Sequence, residues 1–148
     1  MLKTLFGKKA DERFPEEEFV IAQAERDGLP VIATINRGYR RYAHKAEYPW
    51  HVEIVVTMED TTEKGLPTNA EADVLNALED ELESALRAVG AAHYIARQTW
   101  NNIRMLDYYV DDGAAAEKAL GSFASGSERP LQFKVERDET WASCAGFF

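Results

Sequence analysis

Residues 65–88 read GLPTNAEADVLNALEDELESALRA, and the other segments take their places around this one. Gly65 and Pro67 interrupt whatever precedes them, and Thr68 stands at an N-cap position. Glu71, three residues on, completes the spacing of a capping box. There the threonine hydroxyl accepts from the N–H of residue 71, and the glutamate returns to accept from the N–H of residue 68. Val74, Leu78, Leu82, Ala85 and Val89 recur at intervals of three or four, and Leu75 and Leu86 widen the stripe. This predicts a helix of about six turns with one apolar face. Asp73 near its start and Arg87 near its end suit the helix dipole, and Gly90 is a natural stop.

The same segment concentrates charge. Residues 59–87 hold nine carboxylates against Lys64 and Arg87, so −7 of the chain's −9 lies there. The plain reading is a solvated face; the sharper one is a docking surface for a basic protein partner, through Glu79, Asp80 and Glu83. A calcium loop needs alternating oxygen ligands and a central glycine, a pattern this stretch lacks.

A chain of 148 residues with 45% hydrophobic composition suits one domain with a real core. The expected organisation is a flexible tail over residues 1–13 and a single α+β domain over 14–148. Net acidity argues against a general binder of nucleic acid or anionic membranes, both of which need dense positive charge. The single Cys144 permits no internal disulfide and reads as a small packed residue. No apolar run is long enough for a membrane span. MLKTLFGKK at residues 1–9 lacks a secretory pattern, though Leu2, Leu5 and Phe6 could touch a membrane surface weakly. A cytoplasmic protein is expected.

Two apolar runs, residues 19–25 and 31–36, flank an Asp27-Gly28 pair. They predict a hairpin with a longer loop. Residues 36–48 are irregular. In residues 50–59, Val52, Ile54, Val56 and Met58 alternate with His51, Glu53, Val55, Thr57 and Glu59. That predicts a strand with one buried face and one largely wet. Beyond Gly90, residues 92–100 and 103–111 form a hairpin about Asn101-Asn102. Residues 113–124 form a second helix, and residues 131–136 a last strand with Leu131, Phe133 and Val135 inward. Trp141, Phe147 and Phe148 are expected to fold back over an edge. From Trp50 on, the order strand, helix, strand, strand, helix, strand is that of a ferredoxin-like split βαβ sandwich. Its antiparallel sheet would carry two helices on one face and an added N-terminal β-hairpin.

No nucleophile elbow, phosphate loop or dinucleotide fingerprint occurs, so no catalytic residue, cofactor or metal site is expected. His44, His51 and His93 lack the spacing of a helical metal site, and one cysteine cannot complete a zinc set, although His51 and His93 could converge across the sheet. Arg37, Arg40, Arg41 and Lys45 interleave with Tyr39 and Tyr42, which raises single-stranded RNA as a partner. Yet Arg40 and Arg41 stand where an RNA-recognition strand needs a small residue and an aromatic, so a surface loop is the better reading. Tyr108 and Tyr109 point opposite ways on a strand, which predicts one of them on an open sheet face beside Arg97 or Arg104. Aromatics with arginine favour a protein contact or self-association there. The alternative is a small hydrolase or ligand-binding domain with a site near Arg97, Arg104 and Tyr108.

Gly65-Leu66-Pro67 before a helix containing Leu78-Glu79-Asp80, then Tyr108-Tyr109-Val110-Asp111-Asp112, resembles a bacterial domain-of-unknown-function family numbered 695. Asp27-Gly28-Leu29-Pro30, Tyr48-Pro49 and residues 138–141 carry the same resemblance, which covers about residues 14–145. The family brings no activity. Its loose kinship to ribonuclease E regulator B type proteins, small acidic ferredoxin-like binders of an enzyme, implies that fold and a regulatory binding role.

Overall fold

In the computed structural model, which describes residues 13–148, helix α1 spans Asn69–Arg87. Thr68 caps it, its hydroxyl accepting from the Glu71 N–H at 3.2 Å. The return bond of the capping box does not form. The Glu71 carboxylate accepts from the Glu59 N–H at 2.7 Å and from the Arg129 guanidinium at 2.5 and 3.1 Å. The Thr68 N–H donates to the Asp60 carbonyl instead. A guanidinium binds a carboxylate more strongly than a neutral amide does, so Arg129 wins Glu71. The buried stripe is also turned from its expected line. Leu75, Leu82 and Leu86 are almost fully buried, whereas Val74 and Val89 are 50% and 41% exposed.

The strands are β1 (Phe19–Arg26), β2 (Leu29–Asn36), β3 (Trp50–Thr57), β4 (Ala92–Trp100), β5 (Ile103–Val110) and β6 (Leu131–Arg137). They form one sheet in the order β1-β2-β4-β5-β3-β6, with every pairing antiparallel. Asn101 and Asn102 turn the β4–β5 hairpin with φ of 48° and 68°. The β1–β2 loop is shorter than expected. The strands continue to Arg26 and resume at Leu29, leaving only Asp27 and Gly28, at φ 54° and 79°, to turn. Helix α2 (Gly113–Gly126) starts at Asp112, whose carboxylate accepts from the Ala115 N–H at 3.0 Å. A Cβ at Gly113 would stand 2.5 Å from the Trp50 ring, so only glycine lets this helix begin against β3.

Both helices pack on one face of the sheet, over Val52, Ile54, Val56, Leu106, Tyr108 and Val110. The opposite face is not open. Two 3-10 turns, Arg37–Tyr39 and Lys45–Glu47, and a third at Ala142–Phe147 lay Tyr39, Tyr42, Tyr48, Trp141 and Cys144 over Ile95, Ala96 and Tyr109. Tyr108 and Tyr109 do point opposite ways, yet both are core, 1% and 0% exposed, because each face has its own cover. The expected wet face of β3 is likewise closed at its His51 end and exposed only by Thr57. Arg97 and Arg104 lie on the helix side, in register with Leu106 and Thr99. The expected tail and its Leu2, Leu5 and Phe6 contact fall almost wholly on residues 1–12, outside the described residues. Among the described residues no helix is long and apolar enough to cross a membrane.

Trp141 anchors the second cover. Its ring stacks on Tyr109 at 4.2 Å and 6°, and its indole N–H donates to the Tyr48 carbonyl at 2.9 Å. The residue sits at φ 60°, an uncommon conformation for a bulky side chain, held by its surroundings. Asp138 organises the turn. Its carboxylate accepts from the Ala142 and Ser143 N–H groups at 2.9 and 3.0 Å and from the Tyr109 hydroxyl at 2.6 Å. Burial pushes the Asp138 carboxyl up, but the donors outweigh it and hold it below its ordinary value.

Candidate docking surface

The six residues singled out from the sequence lie near one another, but they do different jobs. Glu79 is mostly covered and pairs with Arg104 at 2.9 Å and Arg97 at 3.2 Å. Arg104 is 5% exposed and also donates to the Thr99 hydroxyl and the Asn76 amide oxygen, each at 3.2 Å. Burial lowers its pKa, Arg97 adds to that, and Glu79 opposes both. Glu83 accepts from the Tyr108 hydroxyl at 3.2 Å and pairs with Arg87 at 3.1 Å. Burial pushes the Tyr108 phenol up, and the neighbouring Glu83 charge pushes it further. Asp80 alone is exposed. A recess of about 300 Å³ opens here, lined by Phe19, Thr34, Asp80, Tyr94, Arg97 and Tyr108.

The inner carboxylates Glu79, Glu71 and Glu83 are thus paired with cations from the sheet, from the segment before β6 and from α1 itself, and the outer ones are left to solvent. Among the described residues, Asp73, Asp80 and Glu81 are exposed and stand outside the ion pairs that engage Glu59, Glu71, Glu79 and Glu83. Of these, Asp80 faces the recess over Tyr108, whereas Glu81 lines a groove of about 720 Å³ between α1 and α2. Val74, Ala77, Leu78 and Phe123 give it an apolar floor, and Glu81, Glu128 and Arg129 edge it. Half-exposed Val74 is the residue that sequence reasoning had assigned to the core. A stripe wider than a helix can bury on one side was the available signal.

The basic aromatic loop is committed to the fold. Tyr39 and Tyr42 are 4% and 8% exposed and meet each other edge-on at 5.2 Å, leaving neither ring open for a stacked base. Arg40 pairs with Glu18 at 2.8 Å. His51 and His93 share a sheet face but do not meet, since Tyr109 lies between them in the ladder. The Tyr39 hydroxyl and His93 Nδ1 are 2.7 Å apart. One group among the described residues could hold a metal: His51, Asp107 and Cys144, all buried, with ligand atoms within 4.8 Å of one another. They stand 56 and 93 positions apart in pairs with His51, a separation in which no spacing motif is visible.

The model of the family of unknown function DUF695 matches residues 18–147. The chain belongs to this family. The match spans all six strands, both helices and the turns that close the aromatic face, so the DUF695 segment includes both covers. No curated protein and no solved structure matches it.

Proposed function

We propose that this DUF695 chain is a non-enzymatic protein-binding or regulatory domain that docks a basic, amphipathic segment of a partner on the outer face of α1. One observation carries the reading: an apolar floor containing half-exposed Val74 is edged by Glu81, which with Asp73 and Asp80 elsewhere on the exposed surface of α1 stands outside the internal ion pairs. Apolar contact would supply affinity, and the uncompensated charge would select a basic partner and speed encounter. Residues 14–148 form, in this reading, one α+β domain. Its β3–α1–β4–β5–α2–β6 part is a ferredoxin-like sandwich, supported by the strand order β4-β5-β3-β6. The kinship to ribonuclease E regulator B type proteins suggested by the sequence fits a small acidic domain that acts by binding an enzyme.

Native co-purification at low salt tests it. The wild type is expected to retain a partner that salt releases and that Asp80→Lys/Glu81→Lys and Val74→Glu both lose. Retention of every partner by both variants sinks the reading.

The recess over Tyr108 favours a second reading, a small-ligand site. Its size is at the low end for such sites, about 300 Å³. Arg97, already paired with Glu79, would have to exchange that partner for an anionic ligand. Carboxylate or phosphate compounds that perturb Tyr94 fluorescence in the wild type but not in Arg97→Gln would support it.

A further inference from the structure

The C-terminal cover places three chemically matched side chains at one point. His51 lies on β3, Asp107 on its neighbour β5, and Cys144 in the turn that closes over both. Their exposures are 5%, 4% and 1%. His51 Nε2 is 2.7 Å from Asp107 Oδ1 and 3.8 Å from Cys144 Sγ. Carboxylate and sulfur thus crowd the same imidazole nitrogen. A Cys–His–Asp catalytic relay is laid out differently, with sulfur on one ring nitrogen and the carboxylate on the other. Burial also pushes the Cys144 thiol up, with Asp107 adding to it, which is the opposite of an activated nucleophile.

The geometry points to a structural divalent-metal site, with His51, Asp107 and Cys144 as ligands and zinc as the ion best suited to them. Imidazole, carboxylate and thiolate together form a zinc-type donor set. Tetrahedral zinc holds its ligand atoms roughly 3.2–3.8 Å apart. The sulfur is already at such a distance from Nε2, and the imidazole–carboxylate pair needs to open by about half an ångström. One Asp107 carboxylate and one Cys144 thiolate offset a divalent cation around a neutral imidazole, and a carboxylate in the fourth position would add one negative charge. On binding, the Cys144 S–H gives its proton to solvent, and His51 takes the tautomer with its proton on Nδ1, so that Nε2 and an ionised Asp107 carboxylate are both free to ligate. Glu53 is the candidate for the fourth position. It sits directly across the ladder from Asp107 on the same face, and its charge reaches Cys144. The docking groove is lined by other residues, so the ion would be closed off from that surface and would staple the C-terminal turn to two central strands.

The test uses the full chain, stripped of metal under reducing conditions and titrated with cobalt(II). One cobalt per chain is expected, with a thiolate-to-cobalt charge-transfer band that zinc bleaches and a melting temperature that zinc raises. Cys144→Ser is expected to lose that band and to bind zinc more than about a hundredfold more weakly, beyond the upper end of losses from residues that merely orient ligands. Should that variant fail to fold, the zinc content of the wild type as purified decides, with one equivalent expected. No charge-transfer band together with no zinc-dependent melting shift overturns the site. So does a Cys144→Ser protein that keeps the full cobalt spectrum.

Discussion

The two faces of the sheet are covered by opposite strategies. On one, α1 and α2 lay down aliphatic residues at regular spacing, and Leu75, Leu82 and Leu86 meet Val52, Ile54 and Leu106. On the other, irregular chain does the covering, and large rings replace helical regularity: Tyr39, Tyr42, Tyr48, Tyr109 and Trp141 pack around His93. The aliphatic layer is specified by pattern, so its members exchange at modest cost if volume is kept. The aromatic layer depends on individual hydrogen bonds and ring contacts, and a few residues hold it. Irregular segments can therefore make a core as dry as a helix pair does, provided that their polar groups find partners.

The comparison is most exposed at Trp141. Trp141→Ala is expected to cost about 4 kcal/mol by urea denaturation, in the same range as Leu82→Ala beneath the helices. A cost under about 1 kcal/mol would mean that the second face is cladding and not core. Next comes Arg129→Ala, which leaves the Glu71 carboxylate, 4% exposed, without its guanidinium; a loss of about 3 kcal/mol is expected.

Acid should affect both faces, since each has a carboxyl held below its ordinary value. For Glu71, on the helix side, the Arg129 hydrogen bonds are the main cause. Asp138, on the aromatic side, is lowered by its donors despite burial. Their contributions are complete above the ordinary values of 4.5 and 3.8 and are lost as pH falls through the lower folded ones. Melting temperature should therefore drop on acidification, and Asp138→Asn should flatten part of that drop. An unchanged acid slope in that variant would show that the aromatic face does not depend on this charge. The smallest effect belongs to the helix surface. Val74→Ser should shift stability by no more than about 0.5 kcal/mol, whereas Leu75→Ala, one residue away, should cost about 3 kcal/mol.

The helical face was readable because its signals are local. Thr68, the stripe of α1, the alternation in β3 and the Asn101-Asn102 turn each lie within one element. Even there, direction was off by one residue at Val74, since period alone does not say how far α2 extends along α1. The aromatic face was not readable, because its partners come from distant segments. Trp141 and Tyr48 are 93 positions apart, and so are Cys144 and His51. Basic residues among the tyrosines of the 36–48 loop suggested a surface, whereas the rings turn inward and only Arg40 and Arg41 of the four cations are fully exposed. For the same reason Glu79 and Glu83 looked like surface charge until Arg97, Arg104 and Tyr108 arrived from the sheet.

Strand β3 lies between β5 and β6, and both are made long after it. While the chain grows, β1 and β2 can close their own tight hairpin, but β3 has no ladder neighbour until residues 103–110 exist. Its two edges stay bare meanwhile, and α1 is the one later element on hand to cover its Val52–Val56 face. A nascent chain halted before the β4–β5 hairpin would thus hold one complete ribbon and one sticky, unmated strand. Pairings between distant segments are slow to form and leave such surface open to association. The clock for this fold is set by the arrival of β5, and the greatest hazard in its synthesis falls in the interval just before.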